Sequence, residues 1–353
     1  SERLYRQARR HTDEGDNRSD RIYRDLALFA AVGWVMKRPE VIEKLQADEQ
    51  TAVAQTIAAI RKGTVPCRVL FFGLPAMPSH YNASAFYGNS PWLADYFAAR
   101  QWYATNVFRL GSDDETERAI HLALLVRSDK ELAELHEQLT AAFGVLLGPA
   151  DDATVNQYVN AAAAAFGKDA SAETIATRLD AFRAAGADLP SPQVTDQFLT
   201  PDDYPHFGKV TKGFRLLPPR RIPSSVLFQQ TVDPKVPGRM FPSGIDLFAT
   251  GPLANDAARA AIGKAEDSPA TAKAILAAKP GPLPDSLHGQ ALELLTALQQ
   301  PLPAAAPRAL QTPAWKDKQL WTQLGAWAEQ RHTWALQTKL SAHYFGMSRK
   351  PSG

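Results

Sequence analysis

The chain has 353 residues, 45% of them apolar and 22% charged, with a formal net charge of +2. That balance excludes a disordered chain, and it excludes the broad positive field by which proteins gather nucleic acid or an anionic membrane. A single cysteine, Cys67, excludes an internal disulfide and cysteine-built zinc or iron–sulfur sites.

The first twenty residues are densely charged and weakly patterned, which predicts a flexible arm over 1–20. Arg21 to Met36 and Pro39 to Arg61 read as two helices parted by Lys37-Arg38-Pro39. Leu26 to Met36 is the most apolar stretch, well short of the roughly 20 residues that span a bilayer, so no transmembrane segment is expected. No signal-peptide pattern is present. Thr64 to Leu74 is rich in β-branched and aromatic residues and predicts a short strand or a buried extended segment. The loop that follows, to Pro91, holds Tyr81 and Tyr87 among Asn82, Ser84, Gly88 and Asn89, which makes both tyrosines candidates for exposed aromatics. An aromatic helix is predicted from Pro91 to about Arg109. Ser112 with Glu115, and Ser128 with Glu131, have capping-box spacing and predict two helix starts. Alanine-rich helices are predicted at about 151–166 and 171–186.

From 187 to 252 proline and glycine become frequent, and Phe214 to Val232 reads as extended structure interrupted by prolines. Short helices return between Asn255 and Gln299, and a long helix from Pro313 to Phe345 precedes a tail over 346–353. The expected fold is mainly α: one large helical domain, 21–345, with an irregular, partly extended insertion around 187–252.

Enzyme signatures are sparse. The sequence lacks a phosphate-binding glycine loop, a dinucleotide fingerprint, a nucleophile elbow and HExxH. None of the eight histidines forms an i,i+4 pair, so neither a metal nor a cofactor is expected. Glu329 and His332 lie three apart on the last helix, the spacing of a carboxylate–imidazole general base and equally of an ordinary surface contact. His332, Lys339 and His343 mark a basic side of that helix. Arg331 falls within an apolar side that includes Leu324, Trp327, Ala328 and Trp334. A guanidinium there must meet an anion or carbonyls, either as a fork for a ligand or as a buried ion pair. Arg220, beside Arg221 and after Pro218-Pro219, sits on a stiff loop suited to gripping an anion or to standing as a charged loop tip. Tyr81, Tyr87 and Trp102 are candidate platforms for a sugar or peptide, or core aromatics.

Three blocks together resemble a bacterial family, domain of unknown function 3160. Leu93-Ala94-Asp95-Tyr96-Phe97-Ala98-Ala99-Arg100-Gln101-Trp102-Tyr103 is similar to its aromatic helix. Phe214-Arg215 through Arg220, Pro223, Ser225, Phe228 and Gln229, followed by Arg239, Pro242, Gly244 and Asp246, is similar to its central block. Leu324 to His332, with Lys339, is similar to its Trp-Ala-Glu…Arg-His helix. Two departures stand out: Pro218-Pro219 replaces the family's Gly-Gln, and Thr333 stands where an acidic residue is usual. The resemblance implies an exported, extracytoplasmic setting and a chain that corresponds to a middle portion of longer members. It carries over no catalytic residue. The expectation is a binding or subunit protein of an envelope assembly, with a protein partner for which other segments of its own precursor are one candidate; the single thiol by itself fits the cytosol as well as a periplasm. A hydrolase acting on a glycan or peptide is the alternative. The candidate catalytic pair is Glu329 and His332, and the candidate ligand contacts are Arg331, Trp327, Trp334, Arg220, Arg239, Tyr81, Tyr87 and Trp102.

Overall fold

The computed structural model describes residues 1–12, 17–83, 85–266, 268–300 and 302–339. As expected, it is mainly α, with one two-stranded ladder. The helices are α1 (Glu2–Arg10), α2 (Arg18–Lys37), α3 (Ala47–Lys62), α4 (Pro91–Thr105), α5 (Asp113–Ser128), α6 (Lys130–Leu147), α7 (Val155–Phe166), α8 (Ala172–Thr177) and α9 (Leu179–Ala185). They continue with α10 (Phe207–Val210), α11 (Pro223–Gln230), α12 (Gly244–Ala249), α13 (Asp256–Ala265), α14 (Pro269–Leu276), α15 (Leu287–Thr296) and α16 (Pro313–Thr333). Strands β1 (Phe108–Arg109) and β2 (Gly213–Phe214) pair antiparallel, with Phe108 opposite Phe214.

The buried apolar side chains form two clusters, one drawn from residues 4–217 and one from residues 227–327. In the first, α2 is buried almost all round and packs against α1, α3 and α4. The approach of α4 to α2 depends on Gly33, because a Cβ there would lie 2.3 Å from the Tyr103 ring. Trp102 and Tyr103 then reach the α2 backbone: the indole donates to the Phe29 carbonyl at 2.8 Å and the phenol to the Ala30 carbonyl at 2.9 Å. The second cluster centres on α12, α13, α15 and α16, with Trp327 packed edge-on against Phe228 of α11.

Several elements differ from expectation for local reasons. Residues 2–10, expected within a flexible arm, are helical and bury Leu4, Tyr5 and Ala8. Thr64 to Leu74 forms no strand; Cys67 and Ala76 make an isolated antiparallel bridge. The 214–232 stretch is half helix, because Pro223 opens α11 at a position where its missing N–H costs nothing. Ser112 caps α5, but the Glu115 carboxylate binds Arg109 and the Gly73 N–H instead of returning to the cap. Asp129, not Ser128, caps α6. The last helix ends at Thr333, not Phe345; residues 340–353, including His343, lie outside the described residues.

Two imidazoles are almost wholly enclosed. His121 Nε2 and both ring nitrogens of His288 have no hydrogen-bond partner among the described residues. Burial pushes each ring from its ordinary 6.5 down to about 4. Both rings are therefore neutral in the fold and bind protons more readily when unfolded. Their stability contribution is complete above about pH 6.5 and declines as pH falls toward 4, by on the order of 3 kcal/mol for each ring. His288→Leu is expected to flatten this slope, as read from urea denaturation at pH 7 and pH 4.5. An unchanged slope would remove His288 from the account.

Candidate ligand-binding cleft

The segment 213–221 joins distant parts of the chain. It pairs with β1 on one side, meets Ala153 and Ala150 through single bridges, and meets Thr338 through a parallel bridge at Arg220. Arg220 N–H donates to the Gln337 carbonyl at 2.7 Å, and Lys339 N–H donates to the Arg220 carbonyl at 2.9 Å.

Charge locks this crossing from inside. The Arg215 guanidinium grips Asp196 with two bonds of 2.6 and 2.7 Å, and its Nε lies 3.2 Å from Asp152. Lys339 Nζ lies 2.8 Å from Asp152 and 3.2 Å from Asp151. Three carboxylates thus face two cations. The surplus charge is met by the Gln193 and Val194 N–H groups, which bond Asp151, and by Arg221 at 4.0 Å. Burial raises Asp152 despite its two cations. At Asp196 burial works in the same direction, but Arg215 and Lys339 outweigh it and hold the carboxyl far below the usual range. Arg215 is raised in turn, its burial outweighed by Asp152 and Asp196. Lys339, expected on a basic helix side, is instead an enclosed member of this network. Arg215, Asp151, Asp152, Asp196 and Lys339 line none of the described cavities, so their chemistry is structural; Gln193 and Arg221 border a separate groove.

The network presents Arg220 to a cleft of about 320 Å³, at the lower end of the range for ligand pockets. Its walls are α4 (Tyr96, Ala99, Arg100, Tyr103), one side of α6 (Leu132, Leu135, Leu139, Phe143) and the segment 216–218. Arg3, Lys37, Arg100 and Arg220 line it, and no carboxylate does. Arg3 is paired with Asp129 and Glu131. The other three cations have no carboxylate partner among the described residues. Arg100, 8% exposed, makes one bond, Nη1 to the Leu217 carbonyl at 2.9 Å. Arg220 donates to the Gly148 carbonyl at 3.3 Å and to the Thr140 carbonyl. Lys37 lies 3.8 Å from the Trp92 ring centroid and donates to its carbonyl.

Burial pushes Arg100 down to about 10, and the charge of Arg220 adds to this. A guanidinium keeps its proton at any ordinary pH, so Arg100 stays charged in the cleft with a carbonyl as its hydrogen-bond partner. His136, whose Nε2 lies 2.8 Å from the Leu216 carbonyl, is lowered by burial as well, with Arg220 contributing. At the rim, Tyr96 stacks between Tyr87 and Trp92, with centroids 6.5 and 6.2 Å away, and Phe86 and Trp92 are open to solvent.

The structure disperses the residues singled out in the sequence. Arg220 and Tyr87 belong to this cleft or its rim. Tyr81 and Trp102 are buried: Tyr81 bonds Thr105 and Asn106, and Trp102 sits in the first core, so neither is a platform. Arg239 forks onto Asp246 at 2.6 and 3.0 Å and contacts Glu266 at 3.1 Å, which satisfies it internally. Glu329 and His332 are exposed and form no ion pair with each other. Trp334 is half-buried at the end of α16. Arg331 and Trp327 do meet, but with no acid among the described residues. The guanidinium lies 4.8 Å from the Phe228 centroid and 5.7 Å from that of Trp327, and it donates to Ser224 Oγ at 3.2 Å. Burial lowers it to about 10. The expected buried ion pair is replaced by ring faces and a hydroxyl. Arg331→Met should accordingly change stability by about 1 kcal/mol or less in thermal unfolding, against roughly 3–5 kcal/mol for a broken buried pair.

Sequence reasoning missed Arg100, Lys37 and His136. One signal was available: Arg100 is the only charged residue between Tyr96 and Tyr103.

The family model described as "Protein of unknown function (DUF3160)" matches residues 1–352, beyond the span of about Arg21 to Tyr344 covered by the three sequence blocks. No curated protein and no solved structure matches the chain. Arg100, Arg215, Arg220 and Lys339 all fall within the matched residues, and the chain belongs to the DUF3160 family.

Proposed function

We propose that this chain is a binding protein that takes an anionic ligand in the cleft between α4, α6 and the 216–220 segment. In this reading it works outside the cytoplasm, as a subunit of an envelope assembly that includes a protein partner. The observation that carries the reading is a nearly buried guanidinium, Arg100, with a second one at Arg220, in a cavity whose lining holds no acid. A bound anion would relieve a desolvation that the protein leaves uncompensated, and charge-assisted pairing with guanidinium is the strong form of such a bond. A wider groove of about 1070 Å³ between α2, α3 and α5 supports the reading less, because its five arginines face five carboxylates. The hydrolase alternative draws no support from Glu329 and His332, which share no cavity with Arg331 or with the rim aromatics. The test is thermal unfolding at low ionic strength with acetate or inorganic phosphate. Both anions should raise the melting temperature of the native chain and leave Arg100→Met unmoved. Equal shifts in the two proteins would overturn the reading.

A further inference from the structure

The cleft joins its cations to a surface that a simple inorganic anion does not need. Leu132, Leu135, Leu139 and Phe143 recur along α6 at spacings of three and four, which places them on one side of the helix, and all four line the cavity. This side is not filled by protein: Leu135 is 44% and Leu139 51% exposed, and Leu147 is the one fully buried residue of α6. The middle of the helix is tied to the opposite wall by polar contacts, His136 Nε2 to the Leu216 carbonyl and Arg220 to the Thr140 carbonyl. Its ends are held by the Asp129 cap, which Arg3 and Gln7 also bond, and by Leu147. An open apolar strip therefore runs beside two guanidiniums, across a cavity with no acidic side chain.

We infer that the occupant is a small amphipathic carboxylate, with its head on Arg100 and Arg220 and its alkyl chain along Leu135, Leu139 and Phe143. Charge complementarity selects the head: an acid would be drawn to these cations, and an amine or a second guanidinium would be repelled. The apolar strip selects the tail, since water against leucine is displaced favourably by methylene groups. The volume selects size, because about 320 Å³ suits a short to medium chain and not a folded domain. The inference rests on the anion-binding reading above and adds the apolar half of the ligand.

The experiment is calorimetric titration of the full chain with acetate, octanoate and octanol. Octanoate should bind roughly 100-fold more tightly than acetate, through buried methylene groups, and roughly tenfold or more tightly than octanol, through the charged head. Arg100→Met should erase the preference for octanoate over octanol. Leu139→Gln, at an exposed position where folding is not at stake, should weaken octanoate by roughly tenfold and leave acetate little changed, because it removes apolar contact without adding charge. If acetate binds as tightly as octanoate, the anion reading stands and the amphipathic one falls. Octanol binding as tightly as octanoate would mean that the arginines play no part, and both readings would fall. Both fall as well if none of the three probes binds.

Discussion

Replacing Arg215 with methionine is expected to remove about 3–5 kcal/mol of stability, a large share of the roughly 5–15 kcal/mol that holds a domain folded. Methionine keeps the unbranched stem as far as the position of Nε and removes the charged end of the side chain. The loss arises because Asp196 would keep its charge with neither of its two short guanidinium bonds, and Asp152 would retain Lys339 alone. Arg215→Met combined with Asp196→Leu should recover much of the loss, since removing both partners leaves less charge stranded. Urea denaturation at pH 7 measures both variants. The acid limb carries a further signature. Because Asp196 is held below its ordinary 3.8, its contribution is complete above about pH 4 and fades as pH falls through the lowered value. The single variant should lack that limb. A loss below 1 kcal/mol would show that the enclosed network is not what fixes the 213–221 segment.

Trp102→Ala should be of similar size, about 3–5 kcal/mol, from lost contact and an unfilled cavity. The indole is fully enclosed, lies 5.7 Å from the Phe29 centroid and 6.2 Å from that of Phe72, and donates to the Phe29 carbonyl. Trp102→Phe keeps most of the volume and loses the donor, so about 1–2 kcal/mol is expected. A ligand platform behaves otherwise: alanine would weaken binding and spare stability. Thermal unfolding together with octanoate titration of the phenylalanine variant separates the two. Lowered stability with unchanged binding is the predicted outcome, and weakened binding with unchanged stability is the contrary one.

Much of the fold could be read from local pattern. α2 is the most apolar run of the chain and α4 the most aromatic, and Pro91 and Pro313 open helices where proline is tolerated. What failed depended on distant partners. Glu115 has capping-box spacing, yet Arg109 and Gly73 claim its carboxylate. Pro223 looked like a breaker within an extended run, and its helix shows only where α11 packs against α12. Lys339 reads as a surface charge in sequence; its partner Asp152 is 187 positions away. The candidate site was legible at Arg220 alone among its cations. Arg100 and Arg331 both sit among aromatics, and sequence cannot say which meets ring faces and which faces an open cavity. That distinction comes from Phe228 and Ser224, brought to Arg331 by α11, and from the empty side of α6 beside Arg100.

Arg100 faces a cavity in which no acid among the described residues meets it, and anion binding depends on that. Anomalous diffraction from a crystal soaked in bromide locates anions directly. A bromide is expected beside the Arg100 guanidinium, on the side toward Arg220. A cleft free of bromide while other surface sites are filled, or an aspartate or glutamate side chain lying on Arg100, would contradict it.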